Sequence, residues 1–113
     1  MIAMPIDPEK MKRRLEAVRA DYRLKAPAKI AAVEVLWSQV KGSAPGDESR
    51  TELMSATHTL LGSAPTLGCE ALGAAARELD TALRDCFGRE GALSTTDTKT
   101  IDQLVARLAQ SLP

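Results

Sequence analysis

Apolar residues recur at steps of three and four along most of the chain, and this spacing restricts the fold more than any other feature. It gives one apolar stripe to each of five helical segments, which are separated by proline- and glycine-containing breaks. The segments cover residues 8–24, 27–40, about 47–67, 69–87 and a last stretch ending near 112. Aromatic residues make up only 3% of the sequence, so alanine, leucine, valine, isoleucine and methionine must build the core. This mixture favours helices over sheets, and we predict an all-α fold.

The links between the segments are short, so consecutive helices are expected to pack as antiparallel neighbours. A chain of 113 residues is long enough for one hydrophobic core and too short for two. We predict a single domain: an antiparallel four-helix bundle over residues 27–113, with an additional short N-terminal helix within residues 1–26 packed on it. Pro27 marks the expected break, because proline ends or kinks a helix. Gly68 is the expected stop of the third segment.

Charge and cysteine content argue against several classes of function. Lysine and arginine total 15, as do aspartate and glutamate, so no overall field attracts nucleic acid or an anionic membrane. No apolar run reaches the roughly 18 residues of a membrane span, and the N-terminus lacks signal-peptide features. We therefore expect a cytoplasmic protein. Cys69 and Cys86 are too few and too far apart for a zinc site or a redox pair, and we expect both to be buried without metal.

His58 is the only histidine, and therefore the only side chain that ordinarily exchanges a proton near neutral pH. At about 100° per residue it lies roughly 150° from the middle of the apolar stripe of the third segment, so it should face solvent. Its neighbours on that outer face are unusual for a solvated surface, because Met54 and Leu61 flank it, Gly62 lies one turn beyond and Pro65 follows. An exposed imidazole among apolar residues predicts a contact site.

Gly62 and Pro65 are both unfavourable in a helix. Glycine costs a helix interior about 1 kcal/mol relative to alanine, and proline removes a backbone hydrogen bond. A helix with a purely structural role has little reason to contain both. A glycine one turn from a nucleophilic imidazole has a use, because it leaves space for a bulky group on the ring and for the backbone of a second protein.

Residues 58–68, HTLLGSAPTLG, resemble the signature of histidine phosphotransfer domains. In that signature the histidine is followed by an aliphatic residue, usually a lysine, a glycine, small residues, and a final aliphatic residue and glycine. His58, Gly62 and Gly68 occupy three of these positions. Leu61 is the departure, since it stands where the family usually has lysine. The resemblance covers about residues 28–112.

The resemblance implies a phosphoryl carrier. The imidazole of His58 would accept a phosphoryl group from an aspartyl phosphate on a receiver domain and pass it to another receiver, in a response regulator or a hybrid histidine kinase. The receiver supplies the acidic residues and Mg²⁺, so this chain would be neither an enzyme in its own right nor the holder of a cofactor. Met54, Leu61, Gly62 and Pro65 would shape the contact surface, and Arg84 is the candidate to replace the missing lysine.

Two other functions fit the same residues. A degenerate domain would keep the fold and the contact surface without being phosphorylated, and Leu61 is the feature that favours it. Alternatively, His58 would act as a general base in an enzyme, which requires an acid or a nucleophile beside it. Among the outward-facing residues one turn away, only Ser55 is such a group.

Overall fold

The chain forms four helices in the computed structural model, which describes residues 7–41, 48–89 and 91–113. They are α1 (Pro8–Lys41), α2 (Glu48–Ser63), α3 (Glu70–Gly88) and α4 (Thr95–Gln110). These described ranges contain no strand, so the predicted all-α class is confirmed. The break predicted over residues 42–47 lies outside them. No described helix combines the length and the hydropathy that crossing a bilayer requires.

The additional N-terminal helix predicted within residues 1–26 is wrong, because α1 continues through Pro27 as one helix of 34 residues. An internal proline costs a helix about 3 kcal/mol. Buried side chains nevertheless follow one another at helical spacing on both sides of it: Tyr22, Ala26, Ile30, Val33, Trp37 and Val40. Burying a large apolar side chain stabilises a fold by about 1.5–3 kcal/mol, so the packing of this stripe outweighs one lost hydrogen bond.

Side-chain contacts between the helices show that neighbours run antiparallel. The Tyr22 hydroxyl of α1 lies 2.8 Å from Ser63 Oγ at the end of α2. Near the other end of α1, the Trp37 indole donates a hydrogen bond of 2.7 Å to Asp102 in the first half of α4. The core lies between the four helices, and its largest fully buried side chains include Ile30, Leu53, Leu60, Leu72, Leu79, Leu83, Ile101 and Leu108.

The turn between α2 and α3 comes earlier than predicted, because α2 ends at Ser63 and not near Leu67. The residue before a proline avoids the helical conformation, so Pro65 favours an early end. A turn over residues 64–68 follows, in which Gly68 has a positive φ of 86°, as expected of the residue that stops the segment. Cys69 comes directly after it and, like Cys86, is buried and free of any disulfide.

The first three turns of α1 extend beyond the other helices. At about 1.5 Å per residue, α1 spans about 51 Å and α2 about 24 Å. The side chain of Arg19 packs over Gly68, at the end of the bundle formed by the α2–α3 turn. Residues 8–18 come before this contact, and Met11, Leu15 and Val18 are 53%, 42% and 50% exposed. The expectation that this stripe packs on the bundle is therefore wrong.

Candidate functional site

His58 is exposed on the side of α2 that faces away from the core, as predicted. The opposite side is buried, since Leu53 and Thr57 are 0% exposed and Leu60 is 2% exposed. The Thr57 hydroxyl donates a hydrogen bond of 2.8 Å to the Leu53 carbonyl, so this buried polar group has its partner within the helix. The His58 imidazole makes no hydrogen bond and no ion pair with any described residue. Its ring nitrogens are therefore open to an external group.

An apolar border, made of Met54, Leu61 and Pro65, runs along one side of His58. Met54 and Leu61 are half-buried and pack against the core, so their inner atoms hold them in place while their outer atoms reach the surface. Pro65 is exposed in the turn after α2. At about 100° per residue, Gly62 lies on the other side of His58. The imidazole therefore stands between an anchored apolar edge and a position without a side chain.

Gly62 faces open space, whereas Gly73 on α3 is required by packing. A Cβ atom built on Gly62 would have no neighbour within 4 Å. A Cβ atom on Gly73 would lie 2.4 Å from Pro65 Cγ, far inside the contact distance. The fold therefore explains the glycine at position 73 and gives no reason for the one at position 62.

Asp80 on α3 is a buried carboxylate. Its residue exposure is 7%, and its Oδ2 accepts a hydrogen bond of 2.8 Å from Arg84 Nε. Its Oδ1 is buried without a hydrogen-bond partner. The Arg84 side chain is 61% exposed, and its guanidinium is drawn back along α3 towards Asp80. The buried Asp80 carboxylate therefore holds the exposed Arg84 guanidinium in a defined position.

The packing of α2 on α3 places this ion pair level with His58. At one end of the helix pair, Pro65 lies against Gly73. At the other end, the Arg50 guanidinium lies 4.9 Å from the centroid of the Phe87 ring. Because the two helices are antiparallel, the middle of α3 between these contacts, at Asp80, stands beside the middle of α2, at Thr57 and His58.

A comparison of the chain with models of protein families agrees with the signature found around His58. A family model described as Hpt domain matches residues 9–111, which include nearly all of α1 and the three helices after it. The chain belongs to the Hpt domain family. No curated protein and no solved structure matches it. The family is that of the histidine phosphotransfer modules of phosphorelays, so membership agrees with the resemblance of residues 58–68.

Within this Hpt domain, five of the six residues singled out in the sequence lie on α2 or in the turn directly after it: His58, Met54, Leu61, Gly62 and Pro65. Arg84 lies on the adjoining helix α3. The residue that the sequence reasoning missed is Asp80. Its signal was present, because it lies between the core positions Leu79 and Leu83 and four residues before an arginine, the spacing of a helical ion pair.

Other groups near His58 do not form an acid–base pair with it. The Thr59 hydroxyl donates to the Ser55 carbonyl at 2.9 Å, and Ser63 Oγ donates to the Thr59 carbonyl at 2.8 Å, so both hydroxyls are engaged along the helix. Among the described residues, no group of three or more histidine, cysteine, aspartate or glutamate side chains could hold a metal ion. The surface is suited to presenting a nucleophile to another protein.

Proposed function

We propose that this Hpt domain carries a phosphoryl group on His58 between aspartates of receiver domains, as a phosphoryl carrier and not as an enzyme. The observation that carries the proposal is an exposed imidazole without internal partners, held on a packed helix beside the open position of Gly62. Receiver domains of response regulators or hybrid histidine kinases are the proposed partners. A cytoplasmic location is part of the same proposal.

The transfer requires one substitution at phosphorus in each direction. A neutral imidazole nitrogen attacks the phosphorus of the aspartyl phosphate, and the N–P bond forms as the P–O bond to the aspartate breaks. The electron pair of that bond leaves with the aspartate carboxylate, while the second ring nitrogen keeps its proton. Such a reaction depends on in-line positioning more than on covalent help from the protein. A rigid helix and a clear approach beside Gly62 meet this need.

The apolar border gives the receiver a surface on which to dock. Met54 and Leu61 are half-buried, so bringing a partner against them removes apolar area from water with little loss of side-chain freedom. Such a contact does not require the imidazole. Receiver binding and phosphoryl transfer can therefore be changed separately. We infer that the border sets the affinity for the receiver and that His58 supplies the chemistry.

Arg84 is the proposed substitute for the lysine that is usual at position 61. A phosphoryl group on an imidazole brings about −1.5 to −2 charge to the surface, by analogy with other phosphorylated side chains. The Asp80–Arg84 ion pair lies on α3, the helix beside α2, at about the level of His58, and this placement supports the proposed role. The exposed N–H groups of Arg84 provide a charge-assisted contact that Leu61 cannot make.

Phosphotransfer assays test the proposal directly. Receivers that carry a radioactive phosphoryl group are mixed with wild-type protein, with His58→Gln and with Ser55→Ala, which removes a hydroxyl one turn away on the same helix. We expect wild type and Ser55→Ala to gain an acid-labile, alkali-stable label and His58→Gln to gain none, with receiver binding changed by a few-fold at most. Equal labelling of wild type and His58→Gln would refute the assignment. Receiver binding without any labelling of the wild type would instead favour a non-phosphorylated interaction module.

A further inference from the structure

The N-terminal extension of α1, residues 8–18, exposes an apolar stripe that no other described part of the chain covers. The stripe consists of Met11, Leu15 and Val18, which are 53%, 42% and 50% exposed. It continues along α1 into Tyr22 and Ala26, which are 6% and 0% exposed within the bundle. The face that packs on neighbouring helices in the bundle is therefore the same face that is open in the extension.

The stripe is narrow and has the spacing of a coiled-coil seam. At about 100° per residue its three side chains occupy a sector of about 60°, and they follow each other at steps of four and three. Helices that lie in a membrane interface present a wider apolar face, often with aromatic residues, and the extension contains none. An extension of about three turns is also marginally stable as an isolated helix. Both features favour a single partner helix.

The positions that border the stripe are mainly basic. Lys12 and Arg19 flank it on one side, and Arg14 and Asp7 flank it on the other. Asp7 accepts a hydrogen bond of 3.1 Å from the Glu9 backbone N–H, so its carboxylate is engaged at the start of the helix. Lys12 and Arg14 form no ion pair within the described part of the chain. The seam therefore carries two unpaired positive charges at its edges.

These charges argue against a second copy of this chain as the partner. If two extensions packed antiparallel, Lys12 would face Lys12 and Arg14 would face Arg14. In a parallel pair, Arg14 would face Arg19 of the second copy while Asp7 would face Lys12, so repulsion and attraction would offset each other and the charges would add no net stability. Like charges at such flanking positions oppose pairing and select partners of the opposite sign.

We propose that the extension of α1 is a docking site for an amphipathic helix of another protein whose apolar seam is flanked by acidic residues. The extension lies about 18 Å along α1 from the level of His58, taking Pro27 as the residue beside His58 and Leu15 as the centre of the stripe, at about 1.5 Å per residue. The two sites therefore do not overlap. A partner helix on the extension holds this Hpt domain while the surface around His58 stays available to a receiver.

The probe for this site is a synthetic helical peptide of about 18 residues with leucine at the seam positions and glutamate at the flanking positions. Its matched control has the same seam with lysine at the flanking positions. The protein carries ¹³C-labelled methionine methyl groups, so that Met11 reports on the extension and Met54 on the surface beside His58. We expect the glutamate peptide to shift the Met11 signal and leave Met54 unchanged. It should bind about tenfold more tightly than the lysine peptide at low salt, with a smaller ratio at high salt.

Three variants locate the binding and its charge preference. Leu15→Ser should lose binding at least tenfold, whereas Leu24→Ser, the same change on the opposite face of α1 where the side chain is 81% exposed, should not change it. The double variant Lys12→Glu/Arg14→Glu should prefer the lysine peptide. The proposal is overturned if the glutamate peptide leaves Met11 unshifted, if Leu24→Ser weakens binding as much as Leu15→Ser, or if the charge reversal leaves the preference unchanged. Binding of the extension to phosphatidylglycerol vesicles without peptide binding, or a dimer that Leu15→Ser dissociates, would also overturn it.

Discussion

Gly62 and Gly73 lie on neighbouring helices that meet at the α2–α3 turn, and they have different neighbours. Pro65 occupies the space that a side chain at position 73 would need, so glycine there allows the turn to pack on α3. Nothing occupies the space beside Gly62. Helical positions prefer alanine over glycine, so the glycine at position 62, in the last turn of α2, lowers stability without a gain in packing. This observation supports the proposal that a partner approaches His58 beside Gly62.

Alanine substitutions at these two glycines should therefore have opposite effects on stability. Gly62→Ala should raise the free energy of unfolding by about 0.5–1 kcal/mol, because it lowers the entropy of the unfolded chain and adds no clash. Gly73→Ala should lower it by about 1–3 kcal/mol, because Pro65 has to move. Urea unfolding followed by circular dichroism measures both. If Gly62→Ala destabilises the protein, the position has a structural role that its open surroundings do not explain.

The proposed role of Arg84, as the replacement for a lysine at position 61, can be tested by changing the charge at each of these two positions. Arg84→Gln should shift the phosphoryl equilibrium away from this domain, and Leu61→Lys should shift it towards the domain. Each effect should be about 0.5–1 kcal/mol, discounted for the solvent exposure of these side chains. Lys99→Gln, which removes one exposed charge from α4, is the control and should have no effect. The equilibrium with one receiver is measured at low and high salt. If Arg84→Gln behaves like Lys99→Gln, the arginine does not replace the lysine.

The long helix α1 shows that a local rule can be outweighed by packing along an element. Pro27 lies within the helix, one residue after the fully buried Ala26. Without packing, proline would end the helix near this point. The stripe from Tyr22 to Val40 contacts the bundle on both sides of Pro27, so breaking the helix would move several buried side chains away from their neighbours. The continuity of α1 in turn holds the exposed extension in line with the bundle.

Replacing Pro27 with alanine tests this balance. Pro27→Ala should stabilise the protein by about 2 kcal/mol, because a proline inside a helix costs about 3 kcal/mol through the lost hydrogen bond and the clash of its ring, while the unfolded alanine chain gains up to about 1 kcal/mol of freedom. Thermal unfolding measures the change. Leu24→Pro, which introduces a proline at an exposed position of the same helix, is the control and should destabilise the protein. A loss of stability in Pro27→Ala would show that the bundle requires a proline bend in α1.

Across the whole molecule, the scaffold and the proposed site use different residues. The bundle depends on side chains such as Leu60 and Leu79, which are 2% and 0% exposed. His58 is exposed and makes no hydrogen bond or ion pair with a described residue. The histidine can therefore change, or be modified, without loss of the fold. A carrier that alternates between phosphorylated and free forms needs this separation.

Truncation of a core residue and substitution of the histidine should separate the two roles. Leu79→Ala should lower the free energy of unfolding by about 2–5 kcal/mol, as for other buried leucines. His58→Gln should change it by less than about 0.5 kcal/mol, as for surface positions. Chemical unfolding monitored by tryptophan fluorescence and by circular dichroism gives both values. A large loss in His58→Gln would mean that the imidazole is part of the packed structure.

Features that depend on local spacing and backbone preference could be predicted from the amino-acid sequence alone. Apolar steps of three and four predicted helices because each helical turn returns to the same face. The same count placed His58 opposite the buried stripe, and the backbone freedom of glycine predicted a turn at Gly68, although α2 itself ends earlier, at Ser63. The residues around the histidine were found in the same way, since residues three or four apart share a surface on any helix.

Which helix covers each apolar stripe, in contrast, depends on how the helices pack in three dimensions. The apolar spacing of α1 predicted the burial of Met11 as strongly as that of Ile30. Because the other helices are shorter than α1, Met11 is exposed and Ile30 is buried. Asp80 is buried because α2 packs against that side of α3, which places the carboxylate beside Arg84 and level with His58. Burial depends on which elements meet and where they end. Spacing within one helix contains no information about either.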